Sequence, residues 1–92
     1  MILKMFSTFK VGDTYHCKTR EGFDCLYTVV SRSNNVITFH KQWSPNNIEI
    51  NEFKKFKINS DNLTEKVLIW MYHDEKCYIC ANDKQSVISK VI

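Results

Sequence analysis

The sequence predicts an all-β fold: one small, partly open β-barrel, SH3-like or similar, of about five to seven short strands. Three observations lead there. Short runs rich in Val, Ile, Thr, Tyr and Phe recur between turn residues, and no long stretch carries apolar side chains at the helical period. The 92 residues suffice for one hydrophobic core but not two, so residues 1–92 form a single domain. With 43% hydrophobic and 25% charged residues, two glycines and one proline, the chain falls outside the collagen-like, low-complexity and disordered classes.

After an N-terminal lead, Gly12 and Asp13 supply the turn into a first strand at residues 14–18, where Tyr15 and Cys17 share a face by the two-residue period. Gly22 marks a loop at residues 20–24. A strand at 25–32, the pair Asn34 and Asn35, and a strand at 36–43 follow. This is a hairpin pattern, because asparagine tolerates positive φ in a tight connection. Ser44, Pro45, Asn46 and Asn47 break the chain near its midpoint. Residues 48–58 read as strand or helix: Ile48 and Ile50 alternate, yet Phe53 and Phe56 are also spaced for a helical turn. Strand is favoured. Residues 59–62 read as polar loop, 64–66 as a lead into a strand at 67–73, and 74–76 as a turn. Strands at 77–80 and 86–92 complete the set, the last lying near the first in such a barrel.

Thirteen Lys and Arg against ten Asp and Glu give a net charge of +3. The isoelectric point of 8.7 falls short of the value above about 9 that marks a domain built on phosphate contacts. The start of the chain is interrupted by Lys4, so it lacks the apolar stretch of an export signal. The longest apolar run, residues 67–72, is far shorter than the roughly 20 residues a transmembrane helix needs. The expectation is no membrane and a cytoplasmic site, in a bacterium or a host cell, where the four cysteines are thiols or metal ligands sooner than disulfides.

Lys10, Val11, Gly12, Asp13, Thr14 and Tyr15, then Cys17, Asp24, Cys25, Thr28, Val29 and Arg32, with Val36, Ile37 and Thr38, form a spaced pattern over about a third of the chain. A fainter echo runs through residues 72–78 and the tail from Ser86. The pattern resembles a family of small uncharacterised proteins from bacterial, phage and plasmid-type gene sets. That resemblance implies a small β fold and a prokaryotic or mobile-element origin, with no activity attached. Where members of the family tend to carry another cysteine, Arg20, Glu21, Gly22 and Phe23 stand here, which weakens a shared metal site.

Three constellations invite chemistry. Cys17, Cys25, Cys77 and Cys80 supply the count of a tetrathiolate zinc site, but Cys77 and Cys80 on a strand face opposite sides and no glycine follows them to form a knuckle. A disulfide between Cys17 and Cys25 and buried free thiols are the other readings, and free thiols are favoured. His16 adjoins Cys17 and Asp24 adjoins Cys25, yet strand neighbours project apart, so only His40 or His73 approaching through space would rebuild a nucleophile and base. Phe53, Lys54, Lys55, Phe56 and Lys57 interleave rings with cations, the recipe for stacking bases and meeting phosphates. On a strand, however, Phe53, Lys55 and Lys57 take one face while Lys54 and Phe56 take the other.

These readings favour a non-enzymatic interaction module without cofactor or metal. It presents an edge strand or an aromatic-basic face to a macromolecular partner, protein sooner than nucleic acid because the net charge is moderate. In a mobile-element setting the partner would be a host enzyme, such as a defence nuclease, and the protein an inhibitor. The alternative is a nucleic-acid binder using Arg32, Lys41, Trp43 and the run from Phe53 to Lys57. A self-associating structural protein is a third class, reached if edge strands pair between copies.

Overall fold

A computed structural model describes residues 7–19, 21–61 and 63–83. It contains seven strands: β1 (Thr14–Lys18), β2 (Asp24–Ser33), β3 (Val36–Trp43), β4 (Ile50–Lys57), β5 (Asn59–Asp61), β6 (Thr64–Tyr72) and β7 (Glu75–Cys80). β1 to β4 form one antiparallel sheet in chain order, and β5 to β7 form a second. The mainly-β class predicted from sequence is what folds. The hairpin between β2 and β3 turns at Asn34 and Asn35, with Asn34 at the left-handed φ of 54° that asparagine tolerates. At the midpoint Pro45–Asn47 makes a single 3-10 turn, within which Asn46 and Asn47 both carry positive φ.

Residues 48–58 resolve to strand, beginning at Ile50. Two segments depart from the sequence reading. Asn59–Asp61, expected as loop, is a short strand paired with the start of β6. Ladder bonds use only backbone, so a polar composition does not prevent it. The β6–β7 turn lies at His73, φ 55°, and Asp74, leaving Glu75 and Lys76 in β7 rather than in the turn. The strand expected at 86–92 lies outside the described residues.

The chain passes between sheets at Ile58, whose N–H still donates to Asn35 O at 2.6 Å on the β3 side. Beyond it, β5 pairs with β6. Because Lys66 is opposite Asn59 on one side and Cys80 on the other, β6 leaves its β5-side edge unladdered after Lys66. Among the described residues no ladder joins β4 to β6. Among the described residues the two sheets therefore pack together without closing into a barrel, and the opening is this β4–β6 seam.

The core gathers Tyr15 and Cys17 of β1, Cys25, Tyr27 and Val29 of β2, and Ile37 and Phe39 of β3. Val67, Cys77 and Ile79 join from the second sheet, and Phe9 and Ile58 from outside the strands. Phe39 is its centre, edge-on to Phe9 at 5.7 Å and to Tyr27 at 5.6 Å, an arrangement that suits ring quadrupoles. Tyr15 Oη donates across the core to Ala81 O at 3.1 Å, which brings β1 close to the end of β7.

Two β-bulges change which side chains face inward. In β2, Val29 pairs with Phe39 but Ser31 with Thr38, so Val30 is extra and Arg32 arrives opposite inward-facing Ile37. In β6, Leu68 pairs with Tyr78 but Trp70 with Cys77, so Ile69 is extra and Trp70 turns toward buried Cys77.

Arg32 thereby reaches Glu65, which is 5% exposed. Its Nη1 and Nη2 donate to Oε1 and Oε2 at 2.5 and 2.6 Å, a two-pronged charged pair. The Phe9 N–H also donates to Glu65 Oε1 at 2.9 Å, while Arg32 Nε donates to Asn34 O at 3.0 Å. Backbone bonds between Ser7 and both Leu63 and Glu65 tie the N-terminal segment to the same place.

The hydrogen bonds from Arg32, and then that from Phe9, outweigh burial and hold the Glu65 carboxyl below the usual range. A depressed folded-state pKa stabilises the fold above the unfolded glutamate value of about 4.3 and ceases to do so as pH falls through the native value. Urea unfolding from neutral pH down to about pH 3 should show that decline, and Glu65→Gln should flatten part of it. At neutral pH, Arg32→Met should cost about 3 kcal/mol because it strands a buried carboxylate. Loss of less than about 1 kcal/mol would show the pair to be dispensable.

Candidate functional site

The seam opens onto a cleft of about 390 Å³. β3 supplies Lys41 and Trp43, β4 supplies Lys54 and Phe56, and β6 supplies Trp70. Cross-strand register explains the grouping: Trp43, Lys41 and Ile37 alternate along β3 opposite Ile50, Glu52 and Phe56 of β4, all on the inward side. Tyr27 and Phe56 continue the ring surface into the core, 6.4 Å apart.

The polar groups around the cleft are unequal. Trp43 Nε1 donates to Glu52 Oε1 at 3.3 Å, and Lys54 Nζ meets Glu52 Oε2 at 3.2 Å. Lys54, followed by Trp43, holds the Glu52 carboxyl below its ordinary range. Lys18, also on the cleft wall, is paired with Asp24 at 2.8 Å. Among the described residues Lys41 makes no close ion pair, although it stands opposite Glu52 across the ladder: its Nζ lies 4.5 Å from the Trp43 ring centroid and 5.8 Å from that of Tyr27. Trp70 keeps a buried indole N–H with no hydrogen-bond partner.

The other face of the first sheet carries Phe53, Lys55 and Lys57. Phe53 is 71% exposed and stacks on His40 at 5.1 Å, while His40 Nε2 and Asn51 Oδ1 share a hydrogen bond of 3.1 Å. The run from Phe53 to Lys57 is thus divided between two faces, as strand alternation requires. Of the other candidate contacts, Lys41 and Trp43 join Lys54 and Phe56 in the cleft, whereas Arg32 has its guanidinium donors committed to Glu65 and Asn34.

The four thiols are free, and Cys17 and Cys25 face each other across the β1–β2 ladder. Cys17, Cys25 and Cys77 are in the core, while Cys80, three residues after Cys77, lies on the outer side of β7 with Tyr78. Among the described residues no group of three or more His, Cys, Asp and Glu side chains is placed to hold a metal ion. His16 projects from β1 opposite to Cys17, and His40 lies on the outer face with Phe53, so neither meets a buried thiol. The hydrogen bond with Cys25, then burial, pushes the Cys17 thiol up, and burial raises Cys77 to about 12. Tyr15 is likewise raised to about 12, chiefly by burial. No described helix is long and apolar enough to cross a membrane.

Compared with known proteins, the chain matches no family model, no curated protein and no solved structure. The sequence reading missed Trp70 and Glu65. Alternation from Val67 assigns Glu65 to the core side, and an acid there is a signal for a buried cationic partner; the bulge that turns Trp70 inward leaves no such trace.

Burial separates the thiols in reactivity. Of the four, only Cys80 is not buried, so an aromatic disulfide reagent should show one fast thiol in native protein and all four in denaturant. Cys80→Ser should remove the fast phase. A fast phase that survives it would place a second thiol in reach of solvent.

Proposed function

We propose that the protein is a non-enzymatic interaction module that accepts an extended, acidic segment of a partner protein along the open edge of β4. The observation that carries this is the edge of β4, unladdered among the described residues, beside exposed Phe53. Backbone bonds alternate along an antiparallel ladder, and Ile58 N–H points toward β3. The amides of Phe53, Lys55 and Lys57 therefore point to the open side, where a partner strand finds a row of donors and acceptors.

Charge selects the partner. Lys54, Lys55 and Lys57 crowd the end of β4, and Glu52 is offset by Lys54. Two copies pairing through this edge would set lysine against lysine, so the same lysines that oppose self-association favour Asp and Glu on an incoming strand. Phe53 gives that strand an apolar anchor over His40. Nucleic acid on an aromatic-basic face is less well served, since Phe53 and Phe56 lie on opposite faces and the net charge is only +3. The resemblance to mobile-element proteins supports a host enzyme as the partner and inhibition as the outcome.

Selection from a random displayed peptide library should enrich sequences that alternate Asp or Glu with β-branched residues. Binding should perturb the amide resonances of Phe53, Lys55 and Lys57, and Lys55→Pro, which removes an outward donor while sparing the β3 ladder, should weaken it at least tenfold. Peptides that perturb only the β1 edge, or that bind Lys55→Pro unchanged, would overturn the reading.

A further inference from the structure

We infer that Cys17 and Cys25 form a peroxide-reactive dithiol, in which Cys25 meets the oxidant and Cys17 closes a reversible disulfide between β1 and β2. The inference is independent of docking at the β4 edge: neither strand contributes to that edge, and its test needs no partner protein.

Register places the two sulfurs. Cys17 is opposite Cys25 in the β1–β2 ladder, and both side chains are buried in the core. Val29 N–H donates to Asp13 O and Thr19 N–H to Phe23 O, so the alternate pairs between them, Tyr15 with Tyr27 and Cys17 with Cys25, are of the hydrogen-bonded kind. The Cα atoms of such a pair stand about 5.5 Å apart, inside the disulfide range of roughly 4.4–6.8 Å. Their Cβ atoms stand about 5 Å apart, wider than the roughly 3.5–4.5 Å of a relaxed bridge, so the bond draws the strands together and is easily reduced.

Position divides the roles. Cys25 is on the wall of the seam cleft and of a second cleft of about 540 Å³ bounded by Phe23, Trp43 and Glu49, whereas Cys17 is on neither wall. A molecule as small as hydrogen peroxide therefore reaches Cys25 first, where a bulky aromatic reagent is kept out. The hydrogen bond from Cys17 outweighs burial and, helped by Lys41 on the same wall, holds the Cys25 thiol below its ordinary range while Cys17 keeps its proton.

The Cys25 thiolate attacks one peroxide oxygen, the O–O bond breaks, and the departing hydroxide takes up the Cys25 proton as water, leaving a sulfenic acid. Cys17 Sγ then attacks the Cys25 sulfur; the S–O bond breaks, and the hydroxyl leaves with the Cys17 proton as a second water. The two sulfurs are oxidised by two electrons in all, and the peroxide oxygens are reduced by the same two.

Peptide mapping tests this in Cys80→Ser protein, which lacks the exposed thiol. After treatment with hydrogen peroxide and alkylation in denaturant, trypsin cleaves at Lys10, Lys18, Arg20 and Arg32 and so separates residues 11–18 from residues 21–32. One joined fragment should appear, two hydrogens lighter than the sum of its parts, and reduced glutathione should split it in the native protein. Joining should be at least about tenfold faster in native protein than in urea, because the fold holds the sulfurs together. Added to that background, Cys17→Ser should leave a Cys25 sulfenic acid that dimedone labels, whereas Cys25→Ser should leave Cys17 unlabelled. The mapping itself leaves both core cysteines in place, so it decides the matter even where a serine variant fails to fold. No joined fragment, a bridge to Cys77 instead, joining no faster than in urea, resistance to glutathione, or dimedone on Cys17 in folded Cys25→Ser would each overturn the assignment.

Discussion

The two sheets are joined by one part-buried ion pair, its carboxylate enclosed and its guanidinium side chain 30% exposed. Glu65 belongs to the second sheet and Arg32 to the first, and neither sheet is ladder-bonded to the other along β4 and β6. An isolated carboxylate in that place would be costly. With two guanidinium bonds and the Phe9 amide it becomes the point where both sheets and the N-terminal segment are fixed together. Apolar burial supplies most of the driving force, as in any small domain, but it is not directional. The pair is directional, and it links the first sheet to the second at one fixed point.

The strands could be read from the sequence because their signals are local. Gly12, the Asn34 and Asn35 pair and Pro45 punctuate runs whose β-branched and aromatic content has few other uses, and β1 and β3 appear with the ends expected. What the sequence does not display is a bulge. Alternation carried from Cys25 puts Arg32 on the solvent side, where it looks like a contact residue; one extra residue at Val30 carries it inside. The same slip at Ile69 converts Trp70 from a surface ring into part of the cleft. Polar strand β5 was hidden for a different reason, since its pairing is backbone to backbone and its Asn, Ser and Asp composition is that of a turn.

The candidate site was legible in its parts and not in its grouping. Lys41, Trp43, Lys54 and Phe56 stand out in sequence as rings beside cations, but sequence order sets Lys54 beside Phe53 and Lys55, while the pleat sets it with Lys41 and Trp43 across the ladder. The division gives one short strand two chemically distinct sides. One carries Phe53, Lys55 and Lys57 toward solvent; the other carries a lysine restrained by Glu52 above an aromatic floor. The cysteines illustrate the converse, because four thiols in sequence suggest a shared site, yet three serve as small core residues spread over three strands.

The attachment of Ser7 and Phe9 to residues more than fifty positions away has a kinetic meaning. Phe9 meets Glu65 across a separation of 56 residues, and Tyr15 meets Ala81 across 66. During synthesis residues 7–9 emerge long before the strand that receives them, and wait unpaired while the β1–β4 meander forms from neighbours. Contacts this distant in sequence close large loops and so arrive late. Ser7 and Phe9 are thus among the last residues to find their place.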